Sequence, residues 1–521
     1  MHRWKRAVAG VLGVALVGMI SALGGSGSAG ASIPGATPVK GGAMTVLESS
    51  DAASWASGLD PATDPSDLAD APFMDAIYGD LFTQNNNGTV SPDLATGYSF
   101  SDGAKTLKID LRHGVKFSDG TPFNAAAVAF NLRRDLDPKN ACICDSSFPV
   151  ASVTTPDSYT VVLNLTKPFS PIIGAFPGQA PNWIASPTAI AKMGEKAFAK
   201  TPVGAGPFEV VSDTYNSVLS LKKNPTYWQA GHPYLSSLTF KSIGSDESGY
   251  EAVLAGNAQM AENVATSSLV PQARKSLVVS EVVGRSGVGA IQLNTTIAPF
   301  NKLAAREAIY YATDAPALSK ALSYGTGTVI QSPSLPGNAF YQPTIPGYRT
   351  YNPAKAKALV SGLGGMSITL GTAMGAAATE SEALQSEWQQ AGIKVSLTVF
   401  PTIVPLLQAY KANTWQALFQ GAGGINPAEG TGGSYWRYYS TGPFTGIKSP
   451  ALDHLIDGAA ATTAMGKQVA TYKQVDRYLS EHALLPFTYL VPLHNFTAKS
   501  AHGPGVSAPR EFPLWQDAWM S

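Results

Sequence analysis

The stretch from Thr106 to Leu136 most constrains how this chain can fold. Leu107, Ile109 and Leu111 alternate with polar residues, which is the period of a half-buried strand. Val115 and Phe117 extend the apolar signal. Asp119-Gly120 is a turn pair, with glycine supplying a backbone conformation that other residues resist. Asn124 is a favourable N-cap for a helix over 125–136. A strand, a tight turn and a helix in quick succession argue for a mixed α/β chain.

Later segments repeat the alternation of helix and strand. Asn352-Pro353 supplies a cap and a proline at the first helical position, followed by a helix through Leu359. Leu384, Trp388 and Ala391 fall at helical spacing, Gly392 is a stop, and Ile393, Val395, Leu397 and Val399 alternate as a strand. Ser449-Pro450 opens a helix with Leu452, Leu455 and Ile456 on one face, and a further helix is expected over 472–485. With 521 residues, two or three domains are expected. Lys+Arg and Asp+Glu both number 36, and this balance argues against a nucleic-acid binder, which would show a basic excess.

The first 31 residues read as a signal peptide. Arg3, Lys5 and Arg6 form a basic start, 7–23 is apolar and uncharged, and Ala29-Gly30-Ala31 is a cleavage-site pattern. An uncleaved anchor is the alternative, since the apolar run approaches spanning length. Residues 32–40 read as a linker. Cys142 and Cys144 are either a small disulfide staple or two free thiols in one loop.

Enzymatic motifs are missing. Gly284-Arg285-Ser286-Gly287 only approximates a nucleophile elbow, and the seven histidines show no zinc-ligand spacing. His454, His482 and His494 could cluster only through folding. Gly204-Ala205-Gly206 runs into Pro207 and so lacks the helix start of a phosphate loop. No catalytic residue, cofactor or metal is expected.

Residues 111–128, Leu-Arg-His-Gly-Val-Lys-Phe-Ser-Asp-Gly-Thr-Pro-Phe and the helix start, closely resemble the signature of the family 5 extracellular solute-binding proteins. These are the dipeptide and oligopeptide receptors of ABC importers. Other landmarks follow the same pattern in order: residues 41–47, Leu59-Asp60-Pro61, 77–82, Pro92-Asp93-Leu94-Ala95, 201–208 with Ala205 in place of a threonine, and 224–228. In the segment around Asn294, Asn301 would cap a helix bearing Arg306.

The resemblance implies a type II periplasmic-binding-protein fold: two large α/β lobes, a hinge and a smaller inserted domain. One lobe would comprise 41–83, 199–292 and 486–521; the inserted domain would be 84–198; the second lobe would be 293–485. It further implies an exported monomer at the periplasmic or extracellular face of the cell envelope. Such a receptor captures a peptide or similar solute by hinge closure and delivers it to permease subunits. It touches the membrane only through that partner or an uncleaved N-terminal segment. A sensor, or a receptor for an oligosaccharide or nickel chelate, is the alternative; a secreted hydrolase fits less well.

A ligand cleft needs hydrogen-bonding groups and apolar or aromatic surface. The aromatic- and glycine-rich stretch 415–444 offers Phe419, Tyr435 and Trp436, and Trp55 lies in a loop that lines the cleft in the family. In peptide-binding relatives an aspartate holds the free amine of the peptide. Alignment by eye places Gly423 at that position, with Glu429 the nearest carboxylate. Either another carboxylate takes over, or the ligand lacks a free α-amine, because an unpaired buried ammonium is costly.

Overall fold

The computed structural model describes residues 37–49, 58–63, 70–140, 148–283, 288–401, 403–420, 440 and 446–521. Three sheets organise them. A seven-stranded sheet runs, edge to edge, Val278–Val282, Leu493–Thr497, Met260–Val264, Ala43–Ser49, Ser237–Ile243, Val218–Lys223 and Phe208–Thr214. A six-stranded sheet runs Thr328–Val329, Phe487–Leu490, Val288–Leu293, Ala417–Gln420, Met366–Ala373 and Ile393–Phe400. A four-stranded antiparallel sheet is built from Ala95–Ser101, Thr106–Leu111, Thr160–Leu165 and Val150–Asp157. Among the described residues no helix is long and apolar enough to cross a membrane.

The opening motif forms as its pattern predicts. Strand Thr106–Leu111 buries Leu107, Ile109 and Leu111 on one face. Gly120 adopts the left-handed conformation (φ 84°), and Asp119 Oδ1 accepts the Thr121 N–H. Asn124 caps helix Ala125–Asp135 by accepting the Ala127 N–H. Arg133 and Arg134 in the last turn suit the negative end of the helix dipole.

The motif phrases of the sequence touch one another. The Ser118 N–H donates to the Gly204 carbonyl at 2.9 Å. Ser186, the cap of helix Pro187–Met193, donates to Asp119 Oδ2 at 2.7 Å. Gly204 and Gly206 lie against the C-terminal end of helix Ala71–Tyr78. A Cβ on Gly204 would stand 2.5 Å from the Tyr78 Cα, and one on Gly206 2.6 Å from the Ile77 carbonyl oxygen. Both obstacles are backbone and cannot swing aside. Gly204→Ala is therefore expected to lower stability by about 1–3 kcal/mol or more. A melting temperature equal to that of the parent would rule this packing out.

Two expected boundaries move. Asn301 does not cap its helix: its N–H closes a turn onto the Ile297 carbonyl, and the helix begins at Leu303 after an extended Lys302. The helix expected over 472–485 spans Met465–Glu481 instead. Gly466 and the polar residues beside it concealed its start, and Ala483 breaks it with a positive φ of 49°.

Candidate functional site

The chain passes twice between the two large sheets, and the strands that flank these passages are paired. Val282 pairs with Leu493 at the edge of the seven-stranded sheet, and Val288 pairs with Leu490 in the six-stranded sheet. One crossing runs from Val282 to Val288. The other is the dipeptide Val491-Pro492. The strands that flank both passages are thus paired with one another in each sheet, which is the construction of a hinge.

Strand direction locates the cleft. In the first lobe Ala43–Ser49 runs parallel to Ser237–Ile243 and Met260–Val264. In the second, Met366–Ala373 runs parallel to Ile393–Phe400 and Ala417–Gln420. Open α/β sheets hold ligands beyond the carboxyl ends of their strands. Those ends are Ser49 and Val264 in one lobe, and Ala373 and Gln420 in the other.

Polar groups collect at these ends. The Asn263 N–H donates to Asn495 Oδ1 at 3.1 Å, and its Nδ2 donates to the buried Glu48 Oε2 at 3.4 Å. Asp246 Oδ2 accepts from the Ala265 and Thr266 backbones, each at 2.9 Å, and from Thr266 Oγ1 at 2.8 Å. This fixes the loop that presents Ser267. Thr326 of the six-stranded lobe then donates to Ser267 Oγ at 3.2 Å, so the lobes touch. In the second lobe Glu380 is buried, and its Oε1 accepts the Thr488 hydroxyl at 2.8 Å. Burial pushes its pKa up to about 7, against hydrogen bonds from Thr488 and Tyr489 that lower it.

The four-stranded unit leans on the second lobe through Ser170. Its N–H donates to the Ala460 carbonyl at 2.8 Å and its hydroxyl to the Thr462 carbonyl at 2.7 Å, while Gln468 Nε2 donates to its Oγ at 2.9 Å.

A cavity of about 220 Å³ opens where these bodies meet the hinge. Its walls come from residues 84–88, 281–283, 335–338 and 509–511. Arg510 lines it, and burial lowers the guanidinium pKa despite Asp80, Asp75, Asp517 and Glu511 nearby.

Residues 89–444 match the family model of the bacterial extracellular solute-binding proteins, family 5 (middle region). The chain belongs to this family. Family 5 proteins of this kind are substrate receptors of ABC importers. The glutathione-binding protein GsiB of Escherichia coli K12 is 32% identical over 351 residues, covering 65% of this chain and 67% of GsiB. The fold matches that of DppA from Helicobacter pylori in complex with the peptide STSA, with a TM-score of 0.73, 21% identity, and coverage of 92% and 98% of the two chains. It also matches AgaA of A. tumefaciens R10 in complex with agropinic acid, with a TM-score of 0.71, 23% identity, and coverage of 92% and 99%. These relatives are binding proteins.

In this family 5 chain, Trp55, Gly423, Tyr435 and Trp436 lie outside the described residues, as do Glu429, Cys142 and Cys144. The strands leading into the first two segments end at Ser49 and Gln420. Phe419 is fully buried on strand Ala417–Gln420, in register with Ile291 and Thr372 and packed in a core with Trp388 and Tyr489. The histidines do not converge. His494 is buried in the seven-stranded sheet, whereas His454 and His482 accompany helices that pack on the other lobe. Among the described residues no acidic, histidine or cysteine group is arranged to hold a metal. Sequence reasoning missed Glu380, Ser170 and the cavity. Glu380 sits in a polar Thr-Glu-Ser-Glu run that reads as a surface helix.

Proposed function

We propose that this receptor captures a short peptide, or a peptide-like solute of similar size, between its two lobes. The captured solute is then handed to membrane permease subunits. The observation that carries this reading is the pair of chain passages, flanked by paired strands, at the carboxyl ends of the parallel strands of two mixed sheets. The relatives add chemistry: the names of the solved or curated proteins speak of glutathione, a tetrapeptide and agropinic acid. All three are small and carry carboxylate and amine or amide groups. The protein works as an exported monomer and makes or breaks no bond. The domain division follows the sheets, with the four-stranded unit inserted between two passes of the first lobe.

The reading also accommodates Gly423. With no side chain there, a ligand ammonium needs a carboxylate supplied from elsewhere in the cleft.

A thermal-shift screen tests the proposal. Dipeptides, tripeptides, glutathione, oligosaccharides and nickel chelates are each added to the purified protein. A ligand that binds only the native state stabilises it by about 2.7 kcal/mol at a hundred times its Kd. Peptides or glutathione are expected to give the largest shift, together with a smaller radius of gyration in solution scattering. A larger shift from sugars or chelates, with none from peptides, would sink the peptide reading.

A further inference from the structure

His494 is a titratable side chain that the receptor reading leaves without a role, and it stands next to the hinge. Its strand, Leu493–Thr497, starts directly after the Val491-Pro492 passage. The side chain is fully buried, and among the described residues neither ring nitrogen has a side-chain partner. Burial penalises the charged form of an imidazole. It holds the His494 pKa below its ordinary value, with the Arg274 charge acting the same way and Glu281 and the Val264 backbone opposing them.

The surroundings tie this imidazole to the state of the cleft. His494 lies in register with Val264 on one side and Glu281 on the other. Val264 ends its strand at the cleft, and the chain then runs through Ala265 and Thr266, both held by Asp246, to Ser267. Ser267 meets Thr326 of the other lobe. Thr326 stands two residues before Thr328, which pairs with Leu490 just ahead of the hinge passage. Passage, strand ends and hydroxyl contact thus form one closed circuit, and His494 is part of it.

The charges around the imidazole are committed. Glu281 of the strand Val278–Val282 and Arg274 of the helix Val270–Ser276 face it, paired with each other at 3.2 Å. Asp246 Oδ2 accepts three hydrogen bonds from Ala265 and Thr266. Glu48 and Glu262 follow Leu47 and Ala261, which pack with Phe496 on the face that His494 shares, so by alternation they turn to the other face. Water is the partner left for an imidazolium, and parting of the lobes brings water to the cleft end of the sheet.

We propose that His494 makes the hinge proton-sensitive: the closed receptor requires the neutral imidazole, and protonation shifts the lobes toward the open form, so that acid favours release of the solute. Once water reaches the imidazole, its ordinary affinity for protons returns. Acid favours the form that binds the proton more tightly, so the open share grows as pH falls. The full change in the open-to-closed ratio equals the ratio of the two proton affinities. The device concerns the lobes alone and holds whichever solute the cleft takes.

Solution scattering of the full chain without solute, from about pH 8 to about pH 4, tests it. The radius of gyration is expected to rise as His494 protonates, followed by nitrogen NMR of the labelled histidines, while far-ultraviolet dichroism stays constant. His494→Gln, which never takes the proton, should keep the parent's neutral-pH radius throughout. Arg274→Gln removes a facing positive charge and should move the expansion to higher pH. Glu281→Gln should move it to lower pH. Arg274 is more than half exposed, so its variant serves even if His494→Gln fails to fold. A parent radius that stays constant while His494 protonates overturns the proposal. So does an expansion that persists in His494→Gln, one that Arg274→Gln leaves at the same pH, or one accompanied by loss of dichroism.

Discussion

Arg134→Ala is expected to cost about 3–5 kcal/mol of stability, read as a lower urea midpoint. Arg134 ends helix Ala125–Asp135, and its guanidinium grips the Asp60 carboxylate in a two-pronged pair, with Nη1 at 2.6 Å from Oδ1 and Nη2 on Oδ2. Asp60 is fully buried. Deleting the arginine leaves an uncompensated charge in the interior, and that penalty exceeds the net worth of the intact pair. The double variant Asp60→Leu/Arg134→Met should therefore be more stable than Arg134→Ala. A double variant as unstable as the sum of both singles would show that packing, not charge, sets the cost. The pair also gives the Leu59-Asp60-Pro61 phrase a physical role, since it ties the four-stranded unit to the first lobe.

Glu380→Gln is expected to act in the opposite direction, with a gain that grows from about pH 4.5 and is full above pH 7. Burial raises the Glu380 pKa to about 7, with the Glu387 charge adding to it and the Thr488 and Tyr489 hydrogen bonds opposing it. The folded state thus holds the proton more tightly than the unfolded chain. The stability this supplies is full below about pH 4.5 and is lost as pH rises toward 7. Above that, the parent bears an ionised, buried carboxylate at a cost on the order of 3 kcal/mol. Glutamine keeps an oxygen for Thr488 and never ionises. Melting curves from pH 4.5 to 8.5 should show the variant level with the parent at the acid end and above it at the alkaline end. A difference independent of pH would mean the carboxylate is solvated or paired with a cation.

Local features of this fold were legible in the sequence because they are decided locally. The Asn124, Asn352 and Ser449 caps each accept the backbone N–H three residues on, as their spacing predicts. Asn301 misled because a turn from Ile297 to Lys302 claims its backbone first. The motif phrases identified the family, and the structure shows why they say little of the ligand. Asp60, Ser118 and Gly204 join one structural body to another. The cavity could not be read from sequence at all. Its walls lie between residues 84 and 511 of the chain, and only folding makes them neighbours.

The contacts of Ser170 carry a mechanical consequence. The four-stranded unit is fastened to one lobe by a buried ion pair and rests on the other through three hydrogen bonds. When the lobes swing apart, the ion pair travels with its lobe and the three hydrogen bonds must part. The unit therefore behaves as a catch on the far side of a door. Each bond contributes only about 0.5–1.5 kcal/mol, so the catch adds to closure without locking it.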